Sequence, residues 1–307
     1  MSISSPSAAT ARWPSCSRDA ISGAERPGPD GPAGPWLALV APTGVLRAPA
    51  GATPPDAASP DAVLALAAEA ESAGFDALLL DGRGPGRRDP FVLLGAAAAG
   101  TSRLGLGALC DGASWPPSVL AKAVASLDVC SLGRAIALVA PEAGEDAQVS
   151  AEALEVCRLM LRTPAPSFSG VSQVIERAWN EPRARRASPT PVGLVLPVAA
   201  LDDATLAGLI LAAGRAADLV LIELPAHRGG VDYLAGIVAA LRAAASAGGR
   251  LPASLRAVAL IGEAHEPALP AAAELSAAGC SGLALRWPGR APLAGELATW
   301  RAWLAPT

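Results

Sequence analysis

The chain has 307 residues, of which 51% are hydrophobic, 17% charged and only 4% aromatic, so it can bury a sizeable core but offers few base-stacking platforms. A formal charge of −4 removes the electrostatic case for nucleic acid or an anionic membrane as partner. Five widely spaced cysteines, odd in number and without a CxxC pair, speak against a disulfide framework and for reduced thiols in a cytoplasmic protein.

Residues 1–35 are rich in Ser, Pro, Gly and Ala, with Trp13 and Ile21 as the sizeable apolar side chains, and they are predicted to form a disordered tail. No apolar h-region stands near the start, and no later stretch reads as an isolated membrane span, so a soluble chain is expected. PWLALVAPTGV, from Pro35, is the first predicted strand, and its apolar run ends in Pro and Gly. A helix is predicted from Ser59, Pro60 and Asp61 to Ala73, with a Ser cap, Pro in the first turn and Gly74 as its stop. FDALLLDG, Phe75 to Gly82, is the second strand, and a Gly-rich RGPGRR loop leads from it to a helix ending near Gly100.

The cycle then repeats. Arg103 to Cys110 is a strand, Pro117 to Cys130 a helix, Arg134 to Pro141 a strand and Ala151 to Leu161 a helix with apolar Leu154, Cys157 and Leu161 at helical spacing. Thr163 to Pro191 is a long Pro- and Arg-bearing interruption, read as an insertion rather than filler. Strands are predicted again from Pro191, Ala217, Leu255 and Gly282, with helices over Asp203 to Ala216, Val231 to Ala247, Pro267 to Ala278 and Ala294 to Leu304. Continuous apolar strands alternating with helices favour a parallel sheet covered on both faces, and eight cycles favour a closed (β/α)8 TIM barrel over residues 36–307. The alternative, an open doubly wound sheet, lacks a GxGxxG after its first strand.

A barrel carries its chemistry on the loops after its strands. Thr43, Asp81, Arg83, Cys110, Asp111, Glu142, Glu223, His227, Glu263, His265, Arg286 and Trp287 are therefore the residues placed to line one mouth. No spaced ligand motif marks a metal site, and none is predicted. Cys110 has no adjacent basic group to activate its thiol, and neither GxSxG, a P-loop nor HExxH occurs. Trp287, at a strand end, is placed to cover a planar cofactor.

AESAGFDALLLDG, DPFVLLGAAAAGTSRLGLGA and PPSVLAKAVASLDVCSLGR, in this order and spacing, resemble the luciferase-like flavin-dependent monooxygenases, in particular the branch of alkanesulfonate and nitrilotriacetate monooxygenases. SFSG at Ser167 to Gly170 and AAGRAAD at Ala212 to Asp218 echo the same family. The resemblance implies the same barrel, with an insertion near residues 163–190, and reduced FMN, or a reduced deazaflavin in sister branches, at its C-terminal mouth. It further implies dioxygen chemistry on a small organic substrate, a flavin reductase or paired barrel subunit as partner, and a homo- or hetero-dimer. On that footing Asp81, Cys110, Glu142 and Trp287 are the cofactor-side candidates, and His227 and His265 the candidate proton donors.

Several positions depart from the family pattern. Asp81 is followed by Gly82 where an Asp-His pair is frequent, and Pro116-Pro117 stands for a His-Pro pair. Leu138 and Pro141 occupy positions often polar, and Leu196, Pro197 and Val198 replace the small and hydroxyl residues that often receive cofactor phosphate. The alternative reading that follows is a barrel that has lost its cofactor and serves as a non-catalytic partner or regulatory subunit.

Overall fold

The computed structural model describes residues 36–43, 60–83, 88–112, 114–183, 189–224, 230–262 and 272–287. The chain divides into Met1–Gly34 and Pro35–Thr307. The predicted tail and the predicted last helix lie outside the described residues.

The strands are β1 (Trp36–Pro42), β2 (Ala77–Asp81), β3 (Gly105–Asp111), β4 (Ala135–Ala140), β5 (Phe168–Ser169), β6 (Val174–Ile175), β7 (Val192–Pro197), β8 (Leu219–Glu223), β9 (Arg256–Ile261) and β10 (Gly282–Arg286). All but β5 and β6 close into one parallel barrel in the order β1-β10-β9-β8-β7-β4-β3-β2. The helices are α1 (Pro60–Ser72), α2 (Pro90–Gly100), α3 (Pro117–Cys130), α4 (Ala147–Arg162), α5 (Asp203–Ala216), α6 (Gly230–Ala247) and α7 (Ala272–Ala277). The chain is thus the (β/α)8 barrel that its alternating pattern predicts.

Helix ends follow from local chemistry. The Asp89 carboxylate accepts the amides of Phe91 and Val92 ahead of Pro90 and starts α2. Asp146 accepts the amide of Gln148 and starts α4 at Ala147, four residues before the sequence pattern places it. That pattern followed apolar spacing, whereas the cap acts before the first apolar turn. α3 ends because Leu132 and Gly133 both take left-handed conformations, with φ of 58° and 89°. By length and composition α6 is the one described helix apolar enough to match a membrane span, yet Leu234, Ile237, Val238 and Leu241 bury its inner face within this fold.

Side chains alternate across each strand, so the sheet separates two cores. Leu39, Leu78, Leu80, Leu106, Ala108 and Val139 join the core that includes the helices. Ala38, Val40, Leu79, Leu109, Leu138, Val195, Leu221 and Leu260 fill the barrel itself. Following the strand register around the barrel sorts the inward residues into layers of four drawn from alternate strands. One layer is Leu79, Leu138, Leu221 and Ala284, and the next towards the mouth is Val40, Leu109, Val195 and Leu260. Lower down, Gly193 is required by closure: a Cβ there would lie 2.7 Å from both Leu138 Cδ2 and the Leu219 carbonyl oxygen. The interior is a packed core, so any ligand site lies above it.

Between α4 and β7 the predicted insertion carries the small β5–β6 hairpin, which the sequence pattern did not resolve. It is held from below. Buried Glu152 on α4 accepts the amides of Val171, Ser172 and Gln173 and the Ser172 hydroxyl. Burial alone would raise this carboxyl, but the hydrogen bonds from Gln148, Val171 and Ser172 outweigh it and hold the pKa down to about 2.

Candidate active site at the barrel mouth

Carrying the inward parity one step above Val40, Leu109, Val195 and Leu260 reaches the last layer of the strands. On β2 it passes from Ala77 and Leu79 to Asp81, on β8 from Leu219 and Leu221 to Glu223, and on β10 from Ala284 to Arg286. The fourth member, on β4, is Ala140. An apolar interior therefore ends in a layer holding two carboxylates and a guanidinium, to which Arg83 adds a second guanidinium from the turn after β2.

These four charges form a closed ring. Arg83 Nε and Nη2 donate to the two oxygens of Asp81 at 2.9 and 2.8 Å, while its Nη1 and Nη2 donate to Glu223 Oε2 and Oε1 at 3.2 and 2.7 Å. Arg286 donates from Nη1 to Asp81 Oδ2 at 2.9 Å and from Nη2 to Glu223 Oε1 at 2.6 Å. Each arginine thus bridges both carboxylates, in the forked geometry that guanidinium and carboxylate share. Asp81 is 4% exposed, and burial alone would raise its carboxyl. The Arg83 and Arg286 guanidiniums instead hold it well below the usual carboxylate range. Burial likewise opposes the charge on Arg83, and Asp81 and Glu223 more than restore it. The Asp81 backbone is fixed as well, since its carbonyl accepts the Thr43 hydroxyl at 2.9 Å.

The other predicted site residues spread around this ring. Asp111, buried on β3, accepts the Ser114 amide at 2.8 Å. Glu142, half-buried on the β4–α4 loop, turns with Glu145, whose amide bonds its carbonyl at 3.1 Å. Cys110 and Trp287 have the opposite parity and join the core that includes the helices. Burial, followed by the neighbouring Asp111 charge, pushes the Cys110 thiol well above its ordinary pKa. Trp287 is 9% exposed and its amide bonds the Val40 carbonyl at 2.8 Å. His227, Glu263 and His265 lie outside the described residues. Among the described residues no group of three or more His, Cys, Asp or Glu is placed to hold a metal ion. The sequence places Arg83, Glu223 and Arg286 at the mouth but not as one unit with Asp81. The signal was parity: ALLLD, LVLIE and GLALR each end in a charge on the inward side.

The turn after β7 tests whether a phosphate-bearing cofactor is received there. Pro197 lacks an N–H, and Val198 to Ala200 form a single 3-10 turn with aliphatic side chains. The N-terminus of α5 is already taken by the Asp202 carboxylate, which accepts the Thr205 amide at 2.7 Å, and Asp203 adds a second negative charge. These residues do not fit a phosphate.

A family model described as luciferase-like monooxygenase matches residues 40–296. The chain belongs to the luciferase-like monooxygenase family. No curated protein matches it. Among solved structures this luciferase-like barrel is similar to an F420-dependent secondary alcohol dehydrogenase in complex with an F420-acetone adduct, with 13% identity, 89% of this chain and 100% of that one covered, and a TM-score of 0.64. It is also similar to monooxygenase RslO1 from Streptomyces bottropensis, with 20% identity, coverage of 74% and 71%, and a TM-score of 0.59. A third is the coenzyme F420 dependent tetrahydromethanopterin reductase from Methanopyrus kandleri, with 18% identity, coverage of 75% and 67%, and a TM-score of 0.58. At these identities the likeness shows the fold.

Proposed function

We propose that this luciferase-like barrel is an oxidoreductase that works with a reduced flavin-type group, FMN or a deazaflavin, on a small organic substrate at its C-terminal mouth. The observation that carries the reading is the charged layer of Asp81, Arg83, Glu223 and Arg286, which stands where a (β/α)8 fold does its chemistry and caps an otherwise apolar interior. When bound, the redox group supplies the electron chemistry, and charge placed near its ring tunes it. Arg83 and Arg286, with the Asp81 carboxylate they hold, would be the charges that tune it, and Glu142 on the β4–α4 loop is a further proposed contact. Cys110 and Trp287 back the strand ends from the helix side. His227 and His265 remain the proposed proton donors. The phosphate end of such a group is not received by the turn from Pro197 to Asp203. The chain's own tasks are to orient the substrate, exclude water and hold a proton.

A flavin reductase that delivers the reduced group, or a paired barrel subunit in a homo- or hetero-dimer, belongs to the same proposal. So does a cytoplasmic setting, for which the unpaired thiols of Cys110, Cys130, Cys157 and Cys280 speak. A second reading, a non-catalytic barrel acting as partner or regulatory subunit, is favoured by one observation: every charge in the layer is answered by another within it.

Anaerobic calorimetric titration with reduced FMN, and separately with reduced deazaflavin, tests the proposal. Micromolar or tighter binding of either supports it and opens an oxygen-consumption screen for substrate. Binding of neither, with a reductase or paired barrel subunit also present, replaces it with the second reading.

A further inference from the structure

The insertion between α4 and β7 buries one face and displays the other. Phe168, Ile175 and Ala178 pack against the core that includes the helices. Their neighbours turn outwards: Val174 and Trp179 are 72% and 80% exposed, and Val171, in the turn of the β5–β6 hairpin, is 90% exposed. Among the described residues these are three of the four most exposed large hydrophobic side chains, and they fall within nine positions of one another. Single exposed apolar residues are ordinary on a protein surface, whereas a cluster on one fixed element is not. The element is fixed along its length. The Glu152 carboxylate accepts the amides of Val171, Ser172 and Gln173, the Ser167 hydroxyl accepts the Arg177 amide at 3.0 Å, and the Pro166 carbonyl accepts the Ala178 amide at 2.9 Å. Buried Asn180 donates to the carbonyls of Met160 on α4 and Ala121 on α3 at 3.1 and 3.4 Å. Ala178 and Asn180 thus hold the chain on either side of Trp179 and keep that residue on the outer face. An aromatic side chain displayed on a fixed backbone loses little further freedom when it is covered.

The charges on the same segment say what covers this face. Glu176, Arg177, Glu181 and Arg183 are exposed, two of each sign, and Glu181 pairs with Arg183 at 3.3 Å. Neither a polyanion nor a polycation meets a matching field there. A second copy does, because a two-fold axis through the face lets the carboxylates of one copy meet the guanidiniums of the other. We propose that the outer face of the insertion, with Trp179, Val174 and Val171 as its apolar anchors, is the contact surface for a second copy of this chain. The inference rests on the paired-subunit part of the proposed function and gives that pairing a surface. It does not depend on the redox group: flavin binding by a chain that stays monomeric would overturn the surface and leave the redox reading standing.

Sedimentation equilibrium of the full chain, in wild type, Trp179→Ser, Val174→Ser and Val92→Ser, tests it, with circular dichroism as the check on folding. Val92 is the control, since it is exposed on α2, a helix without a charged side chain and so the competing apolar face. Wild type is expected to dimerise with a Kd on the order of micromolar, as suits a small interface. Trp179→Ser and Val174→Ser are expected to raise that Kd about ten-fold or more with the wild-type spectrum kept, and Val92→Ser to change it by less than about two-fold. A wild type that stays monomeric up to about 100 μM overturns the proposal. So does a dimer that Val92→Ser weakens while Trp179→Ser and Val174→Ser leave it intact, because the contact would then lie on α2. If Trp179→Ser loses its fold, Val174→Ser decides alone, and an unchanged Kd in that variant overturns the proposal.

Discussion

The two ends of this barrel use the same residue types for opposite purposes. At the N-terminal end, charged side chains are spent on backbone: Arg134 donates to the carbonyls of Ser131, Leu104, Ala98 and Thr101 and to the Thr101 hydroxyl, and Glu71 accepts the amides of Ser102, Arg103 and Leu104. Asp218 accepts the Val192 amide at 2.9 Å and pairs with Arg162 and Arg250. Arg256 stacks over Trp36 at 5.4 Å and closes the bottom of the interior. At the C-terminal end, charged side chains answer one another, and Asp81, Arg83, Glu223 and Arg286 tie no helix end. One end fixes the scaffold, and the other pairs its charges with one another at the barrel mouth.

The largest expected effect lies at the bottom. Arg134→Ala leaves several carbonyls in the half-buried α2–β3 junction without their donor, and a loss of about 3–5 kcal/mol in chemical denaturation is expected. A loss under about 1 kcal/mol would erase the contrast between the two ends. Next comes Gly193→Ala, whose Cβ meets backbone and side chain at 2.7 Å inside the barrel; overpacking of about 1–3 kcal/mol is expected by the same assay, with no change in the mouth.

At the mouth, Arg286→Gln is expected to cost less than Arg134→Ala, about 1–2 kcal/mol, because Arg83 still bridges both carboxylates. The double variant Arg83→Gln/Arg286→Gln strips both carboxylates, so its loss should exceed the sum of the singles by at least about 1 kcal/mol in a double-mutant cycle. Additivity would mean that the two guanidiniums do not back each other up.

A further effect is one of pH. Because the folded Glu152 pKa lies below its ordinary value, this carboxylate contributes stability that is complete above about 4.5 and is lost as pH falls to about 2. Glu152→Gln is expected to flatten the wild-type decline over that window, as read by thermal unfolding. A decline as steep as wild type's would remove Glu152 as the anchor of the β5–β6 hairpin.

The same contrast explains what the sequence made legible. AESAGFDALLLDG, GTSRLGLGA, SLGR and AAGRAAD carried the family resemblance, and the structure turns them into Glu71, Arg134 and Asp218 clamps and a left-handed α3 terminus. Local motifs of this kind leave a linear signature, so the barrel and the ancestry could be read from them. The charged layer has no such signature, because Asp81, Glu223 and Arg286 meet only through the register of a closed sheet. Cys110 and Trp287 show the same gap from the other side. Both stand at strand ends, but one-residue parity turns them into the core that includes the helices. The α4 start and the β5–β6 hairpin escaped because a cap and a buried carboxylate set them, rather than periodicity.

The measurement that tests the account most directly is anaerobic titration of reduced FMN and reduced deazaflavin into wild type, Asp81→Asn and Arg134→Lys, with stability followed in parallel. The account predicts micromolar or tighter binding of one of the two to wild type. It further predicts an affinity change of about ten-fold or more in Asp81→Asn, read at a temperature where the variant stays folded, and lowered stability with unchanged affinity in Arg134→Lys. Binding of neither compound to wild type, or equal affinities for wild type and Asp81→Asn, would contradict it.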